Sequence, residues 1–135
     1  MSIARKILMG AAGAGSKSTY VDDVFSTYLY RGNATARSIN NGVDLSGEGG
    51  MVWLKNRDAA FNHTLFDTVR GTTKIIRSST NGAETTGGQT LTAFNNNGFT
   101  LGTDSMVNSN NHETVSWTFR KQKGFFDVVT YTGTG

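Results

Sequence analysis

Apolar and polar residues alternate with a period of two along most of this chain, the spacing that puts successive side chains on opposite faces of a β-strand. Phe25 to Arg31 alternates, with Tyr28 and Tyr30 on one face and Leu29 on the other. Asn40-Asn41-Gly42 marks a turn, and Leu45 to Gly50 a loop. Met51-Val-Trp-Leu-Lys55 follows as a densely apolar strand. Thr64 to Asp67 and Thr72 to Ser78 are weaker strands joined through Asp67-Thr-Val-Arg-Gly71, and Ser78 to Gly88 is a long polar loop. Leu91, Ala93, Phe99 and Leu101 flank Asn95-Asn-Asn-Gly98, a hairpin signal with residues suited to positive φ. The clearest alternation is Glu113 to Arg120, where Val115, Trp117 and Phe119 oppose Thr114, Ser116 and Thr118. It predicts a strand with its aromatic face in the core, so Trp53 and Trp117 read as core residues. Phe125 to Thr132 reads as the strand that closes the domain.

Many short strands separated by turns predict an all-β antiparallel β-sandwich or barrel. Helical spacing is confined to the first residues, where Ile3, Ile7 and Leu8 recur in Met1 to Met9. A glycine- and alanine-rich stretch, Gly10 to Ser16, follows. Arg5 and Lys6 suit the charged start of a signal peptide, but the apolar run behind them, Ile7 to Met9, is too short for one. A short apolar segment on a flexible tether cannot fold alone and orders by docking on a partner. The expected organisation is therefore an attachment arm over residues 1–20 and a sandwich over 21–135. Ile3, Arg5, Lys6, Ile7, Leu8 and Met9 are the candidate partner-binding residues.

Composition narrows the picture. The 135 residues include 17 Gly, no Pro and no Cys, enough chain for one real core but without disulfides or thiolate metal sites. The formal charge of +3 is small and the basic residues are scattered, which does not imply nucleic-acid binding. No stretch approaches the length of apolar chain that spans a bilayer. Tyr28-Leu-Tyr-Arg-Gly-Asn33 is echoed by Val129-Thr-Tyr-Thr-Gly-Thr134. An echo at domain spacing suggests tandem domains, with a second copy beginning near the last residues.

Taken in order, several segments resemble the N-terminal part of tail-associated and fibre-like proteins of marine bacteriophages that infect cyanobacteria and other small marine bacteria. They are Arg5-Lys-Ile-Leu-Met-Gly10, Val21-Asp-Asp-Val-Phe-Ser-Thr-Tyr-Leu-Tyr30, Ile39 to Gly50, Val52-Trp-Leu-Lys55, Leu65-Phe-Asp-Thr-Val-Arg-Gly71, Phe94 to Gly102, Val115-Ser-Trp-Thr-Phe-Arg-Lys121 and Gly124 to Gly133. The resemblance implies a concanavalin-like or jelly-roll β-sandwich with further copies after it. It also implies a place in the virion tail, homotrimeric assembly, and contacts to other tail proteins such as an adaptor or nozzle. No catalytic residues come with it, and no cofactor is expected.

Three other chemistries would each leave a pattern in the residues. Catalysis would need a nucleophile on a strained elbow or two facing carboxylates. The histidines His63 and His112 and the acids Glu113, Asp67, Asp104 and Glu84 form no such pattern, so the chain is not expected to be an enzyme. The oxygens of Asp44, Glu48 and Asp104 match no calcium loop, and no metal is expected. Glycan recognition would draw on Tyr28, Tyr30 and Tyr131 with the loops Asn95 to Asn97 and Asn108 to His112. The leading expectation is a phage tail attachment domain. The alternatives are a carbohydrate-binding sandwich for host surface polysaccharide and a capsid decoration protein. Asp67 and Arg70, three residues apart, either lock a turn between them or reach a neighbouring subunit.

Overall fold

A computed structural model describes residues 18–135. Ile3, Arg5, Lys6, Ile7, Leu8 and Met9, the candidate partner-binding residues, lie outside the described residues, as does most of the arm. The strands are β1 (Phe25–Arg31), β2 (Arg37–Asn40), β3 (Gly50–Asn56), β4 (Thr64–Asp67), β5 (Lys74–Ile75), β6 (Thr85–Thr86), β7 (Leu91–Asn95), β8 (Gly98–Leu101) and β9 (Glu113–Arg120). One sheet has the order β1-β9-β3-β4, a second β2-β8-β7, and β5 and β6 form a small ribbon. Every pairing is antiparallel. The domain is thus an all-β antiparallel sandwich, as the alternation predicts.

Among the described residues, three single-turn helices, α1 (Val21–Val24), α2 (Leu45–Glu48) and α3 (Ser105–Asn108), sit in segments that read as loop or strand approach. Aspartates explain the last two. Asp44 accepts from the Gly47 N–H at 2.8 Å, and Asp104 from the Met106 N–H at 2.8 Å, satisfying first-turn donors that would otherwise be unpaired.

The core lies between the two large sheets. Tyr30, Val52, Leu54 and Phe66 project from the four-stranded sheet. Ile39, Leu91, Phe99 and Leu101 meet them from the three-stranded sheet, with Val43, Leu45, Ile75 and Val107 filling the margins. The β7–β8 hairpin turns through Asn96 and Asn97, with Asn95 opposite Gly98. Gly98 has φ of 145°, and a Cβ there would collide with the Ile39 carbonyl of β2. Only glycine lets β2 approach at that point.

Two expectations are corrected. Val115, Trp117 and Phe119 do not face the core. In the ladder, Val52 pairs with Thr118, Leu54 with Ser116 and Asn56 with Thr114. Since Val52 and Leu54 point inward, so do the buried Thr118, Ser116 and Thr114, and the aromatic set points outward. Alternation shows two faces but does not say which is covered. Two of these inward hydroxyls find local partners: Thr118 Oγ1 accepts from Asn41 Nδ2 at 2.9 Å, and Ser116 Oγ donates to the Tyr28 carbonyl at 3.2 Å, whereas Thr114 Oγ1 is buried without a hydrogen-bond partner among the described residues. The second correction concerns Phe125 to Thr132, which forms no strand. A single bridge joins Gln122 and Phe126, and residues 127–135 have no ladder. β9 is the last strand instead. The echoed segments therefore differ in structure: residues 28–31 lie in β1, whereas Val129 and Tyr131 are 74% and 88% exposed.

Candidate interaction surface

The outward side of the four-stranded sheet carries three rows of side chains read directly from the register. Phe25, Phe119 and Met51 form the first, Thr27, Trp117, Trp53 and Leu65 the second, and Leu29, Val115 and Lys55 the third. The rings touch along the rows, and Phe126 adds a ring from the turn after β9. Phe25 and Phe119 lie 5.0 Å apart by centroid, Phe119 stacks on Phe126 at 5.2 Å, and Trp53 meets Trp117 edge to face at 5.4 Å. Cross-strand aromatic pairs of this kind each contribute about 0.5–1 kcal/mol to a sheet.

Loops cover part of this face. Phe126 is delivered by the tight turn after β9, where Phe126 N–H bonds the Gln122 carbonyl. Lys55 straps the loop after β3 by donating from Nζ to the carbonyls of Asn56, Ala59 and Phe61. His63 closes on Trp53, whose Nε1–H donates to His63 Nδ1 at 2.9 Å. That bond assigns the neutral ring proton of His63 to Nε2. The remaining apolar exposure gathers at the margins, on Leu29 (57%) at the β1 edge and Phe125 (48%) on the last turn. Two clefts open beside the phenylalanine cluster. One of about 430 Å³ is lined by Lys121 to Asp127, the other of about 420 Å³ by Tyr20, Val21, Asp22 and Phe25.

The other candidates from the sequence resolve into structural roles. Asp67 and Arg70 form a mostly buried ion pair at 2.6 Å. Asp67 Oδ1 also accepts from the Val69 and Arg70 N–H groups, while Arg70 reaches Glu84 at 3.1 Å and the Leu65 carbonyl. The pair thus locks the turn after β4 and ties it to the segment leading into β6. Asn108, expected in a glycan-reading loop, is fully buried. Its amide donates to the Thr35 and Gly102 carbonyls and accepts from Asn33 N–H, so its polar atoms face inward. Asn95 spends its amide on Thr100 Oγ1, and Asn97 offers its carbonyl to Asn41 and Gly42; Asn96 and Asn97 themselves are exposed.

Tyr30 is a core residue whose hydroxyl donates to the Val107 carbonyl at 2.6 Å. Burial pushes its phenol well above the usual range, against a smaller opposing influence from Thr114 and Arg37. Tyr28 is partly exposed at the β1 edge, and Tyr131 stands in the exposed terminal segment.

The acids are dispersed among partners: Glu113 pairs with Arg31 at 2.8 Å, Asp67 and Glu84 with Arg70, and Asp44 and Asp104 cap short helices. Beside His63, the Ser79 hydroxyl accepts from the His63 backbone N–H and donates to Asn62 Oδ1. Among the described residues, no group of three or more His, Asp or Glu side chains converges on a metal-sized space. None of the described helices is long and apolar enough to cross a membrane.

The apolar outer face was not anticipated from the sequence, although β3 carries a signal for it. Met51, Val52, Trp53 and Leu54 are apolar at both parities, as expected of a strand covered on both sides. Residues 20–135 match the family model described as Domain of unknown function (DUF7483). No curated protein and no solved structure matches the chain.

Proposed function

We propose, from the premise that the chain belongs to the DUF7483 family, that it is a non-enzymatic assembly module that binds neighbouring proteins through the apolar side of its larger sheet. The observation that carries this reading is the contiguous aromatic face of Phe25, Phe119, Phe126, Trp117 and Trp53 on the outside of the sandwich. A face of this kind, bordered by exposed Leu29 and Phe125, is what a protein contact requires. Together with the resemblance to phage tail proteins, it supports a concrete role as the particle-attachment domain of a tail fibre or tail-associated protein. In that role Ile3, Arg5, Lys6, Ile7, Leu8 and Met9 supply a second contact to the particle.

The test is made in the phage particle, with two variants. Deletion of residues 1–15 and replacement of exposed Phe125 by Ser are each expected to leave the circular dichroism of the domain unchanged. Each is also expected to lower its incorporation into tails, measured by quantitative immunoblotting of purified particles. Normal incorporation of both variants overturns the reading.

Polysaccharide recognition is the second reading, favoured by two tryptophans that reach the outer face. Sugar rings stack on open ring faces, whereas Trp53 and Trp117 meet at 69° and Trp53 Nε1 is held by His63. A coplanar platform is therefore absent from this pair. Saturable binding of a host polysaccharide that is lost in Trp117→Ala would favour this reading over the first.

A further inference from the structure

β1 is an edge strand of seven residues with no proline, and among the described residues it pairs on one side only, with β9. The Gly32 N–H bonds the His112 carbonyl, which marks one hydrogen-bonded position of that ladder. Antiparallel pairs alternate between bonded and non-bonded. Tyr30, Tyr28 and Ser26 therefore turn their backbone groups toward β9, while Phe25, Thr27, Leu29 and Arg31 turn theirs outward. Two outward groups are occupied: the Phe25 N–H bonds the Val21 carbonyl, and the Arg31 carbonyl accepts from Arg37 at 2.7 Å. Among the described residues nothing covers the rest of the row, which lies beside exposed Thr27, Tyr28 and Leu29. Edges of this length are normally blunted by charge, proline or a bulge. The charge on β1 is Arg31, at the strand end and already paired with Glu113.

We propose that β1 is a self-complementary docking edge that pairs antiparallel with β1 of a second copy of this chain, about a two-fold axis at Tyr28. It goes beyond the assembly reading above and stands on a different observation, the backbone edge. With Tyr28 on the axis, Thr27 lies opposite Leu29 of the second copy, and these two residues exchange both N–H···O=C bonds on each side of the axis. Arg31 N–H then meets the free Phe25 carbonyl of the other strand. Moving the axis to Thr27 or to Leu29 wastes outward groups, because the Phe25 N–H and the Arg31 carbonyl are already engaged. The same register keeps the two arginines at opposite ends of the new ladder, each across from the ring of Phe25. It also covers Leu29, the most exposed side chain of the four-stranded sheet among those of large hydrophobic residues. The two four-stranded sheets become one continuous sheet, joined by an isologous contact. This two-fold pairing differs from the trimer that the phage resemblance implies.

A charge swap on the axis tests the register. Tyr28→Lys places two ammonium groups directly opposite one another, and Tyr28→Asp two carboxylates. The unaltered chain is expected to sediment at twice its 14.5 kDa mass at high concentration. Each variant is expected to weaken self-association by about tenfold or more, with circular dichroism confirming that it remains folded. An equimolar mixture of the two variants is expected to restore the dimer. In a chain without cysteine, Tyr28→Cys adds a lone thiol, and a mild oxidant removes two electrons and two protons from a facing pair to form a disulfide-linked dimer. A monomer at all concentrations, a trimer, or a dimer indifferent to both charge variants overturns the proposal. So does failure of the mixture to rescue pairing when each variant alone is folded and monomeric.

Discussion

The two large sheets of this sandwich differ on their outer sides. The four-stranded sheet turns Phe25, Phe119, Trp117, Trp53 and Met51 outward, whereas the three-stranded sheet turns out Ser38, Asn40, Thr100 and Asn95. On the three-stranded sheet, the Ser38 and Thr100 hydroxyls lie 3.0 Å apart and Asn95 donates to Thr100, so cross-strand polar bonds organise that surface. Inside, the roles are partly exchanged. The three-stranded sheet sends in Ile39, Phe99 and Leu101, while the central strand β9 of its partner sends in Thr114, Ser116 and Thr118. The pattern on β9 is thus the reverse of the usual apolar-in arrangement. A sheet can keep its aromatics outside when its neighbours in the core already fill the space and its loops partly cover the outside.

Substitutions on the two sides should separate these roles. The largest effect is expected for Phe99→Ala, which empties a fully buried site between the sheets. It should cost about 3–5 kcal/mol in urea unfolding. Trp117→Ala, on the half-buried outer face, should cost less, about 1–2 kcal/mol, mainly through the lost contact with Trp53. Equal losses would mean that the outer face is as tightly packed as the core.

Tyr30 probes the inward side of β1 through pH. Its phenol is raised above the value it has in the unfolded chain, because burial disfavours the anion. Below a pH of about 10 it is neutral in both states and its contribution is fully present. As pH rises further, the unfolded chain loses the proton first, and stability falls by up to about 1.4 kcal/mol per pH unit until the folded phenol also ionises. Tyr30→Phe should remove this component of the alkaline decline. At neutral pH it should cost about 1 kcal/mol for the lost bond to Val107. An unchanged alkaline slope in the variant would contradict the buried placement. The smallest effect is expected for Thr100→Val on the polar outer surface, within about 0.5 kcal/mol. A loss comparable to that of Trp117→Ala would show that the hydroxyl network matters as much as the aromatic one.

Much of the fold was legible in advance because it rests on local chemistry. The Asn95 to Gly98 turn, the alternation of β1 and β9 and the dense β3 segment all appear where the pattern predicts. The Asp67–Arg70 turn lock was also readable as one of two possibilities, since the residues are near in sequence and suited to pair. The exposed terminal segment was misread for an equally physical reason. Val128, Val129, Thr130 and Tyr131 favour a strand, but propensity without a pairing partner does not make one.

The candidate surface was the least legible part, because it depends on register between distant strands. Phe25, Phe119 and Met51 come from three separate segments, and only the pairing of β1 and β3 with β9 puts them in one row. Asn108 shows the same limit for a polar residue. Its loop looks solvent-facing in sequence, but partners at Asn33, Thr35 and Gly102 draw it inside. By itself, then, the sequence determined a Cys-free, turn-rich chain of antiparallel strands and where most of those strands run, since period-two spacing and turn residues act over a few positions. Which face of each strand is covered, and that β1 is left at an edge among the described residues, was decided only by the tertiary structure. Covering a face requires another sheet to pack on it, and an edge is open only when no other segment completes the ladder.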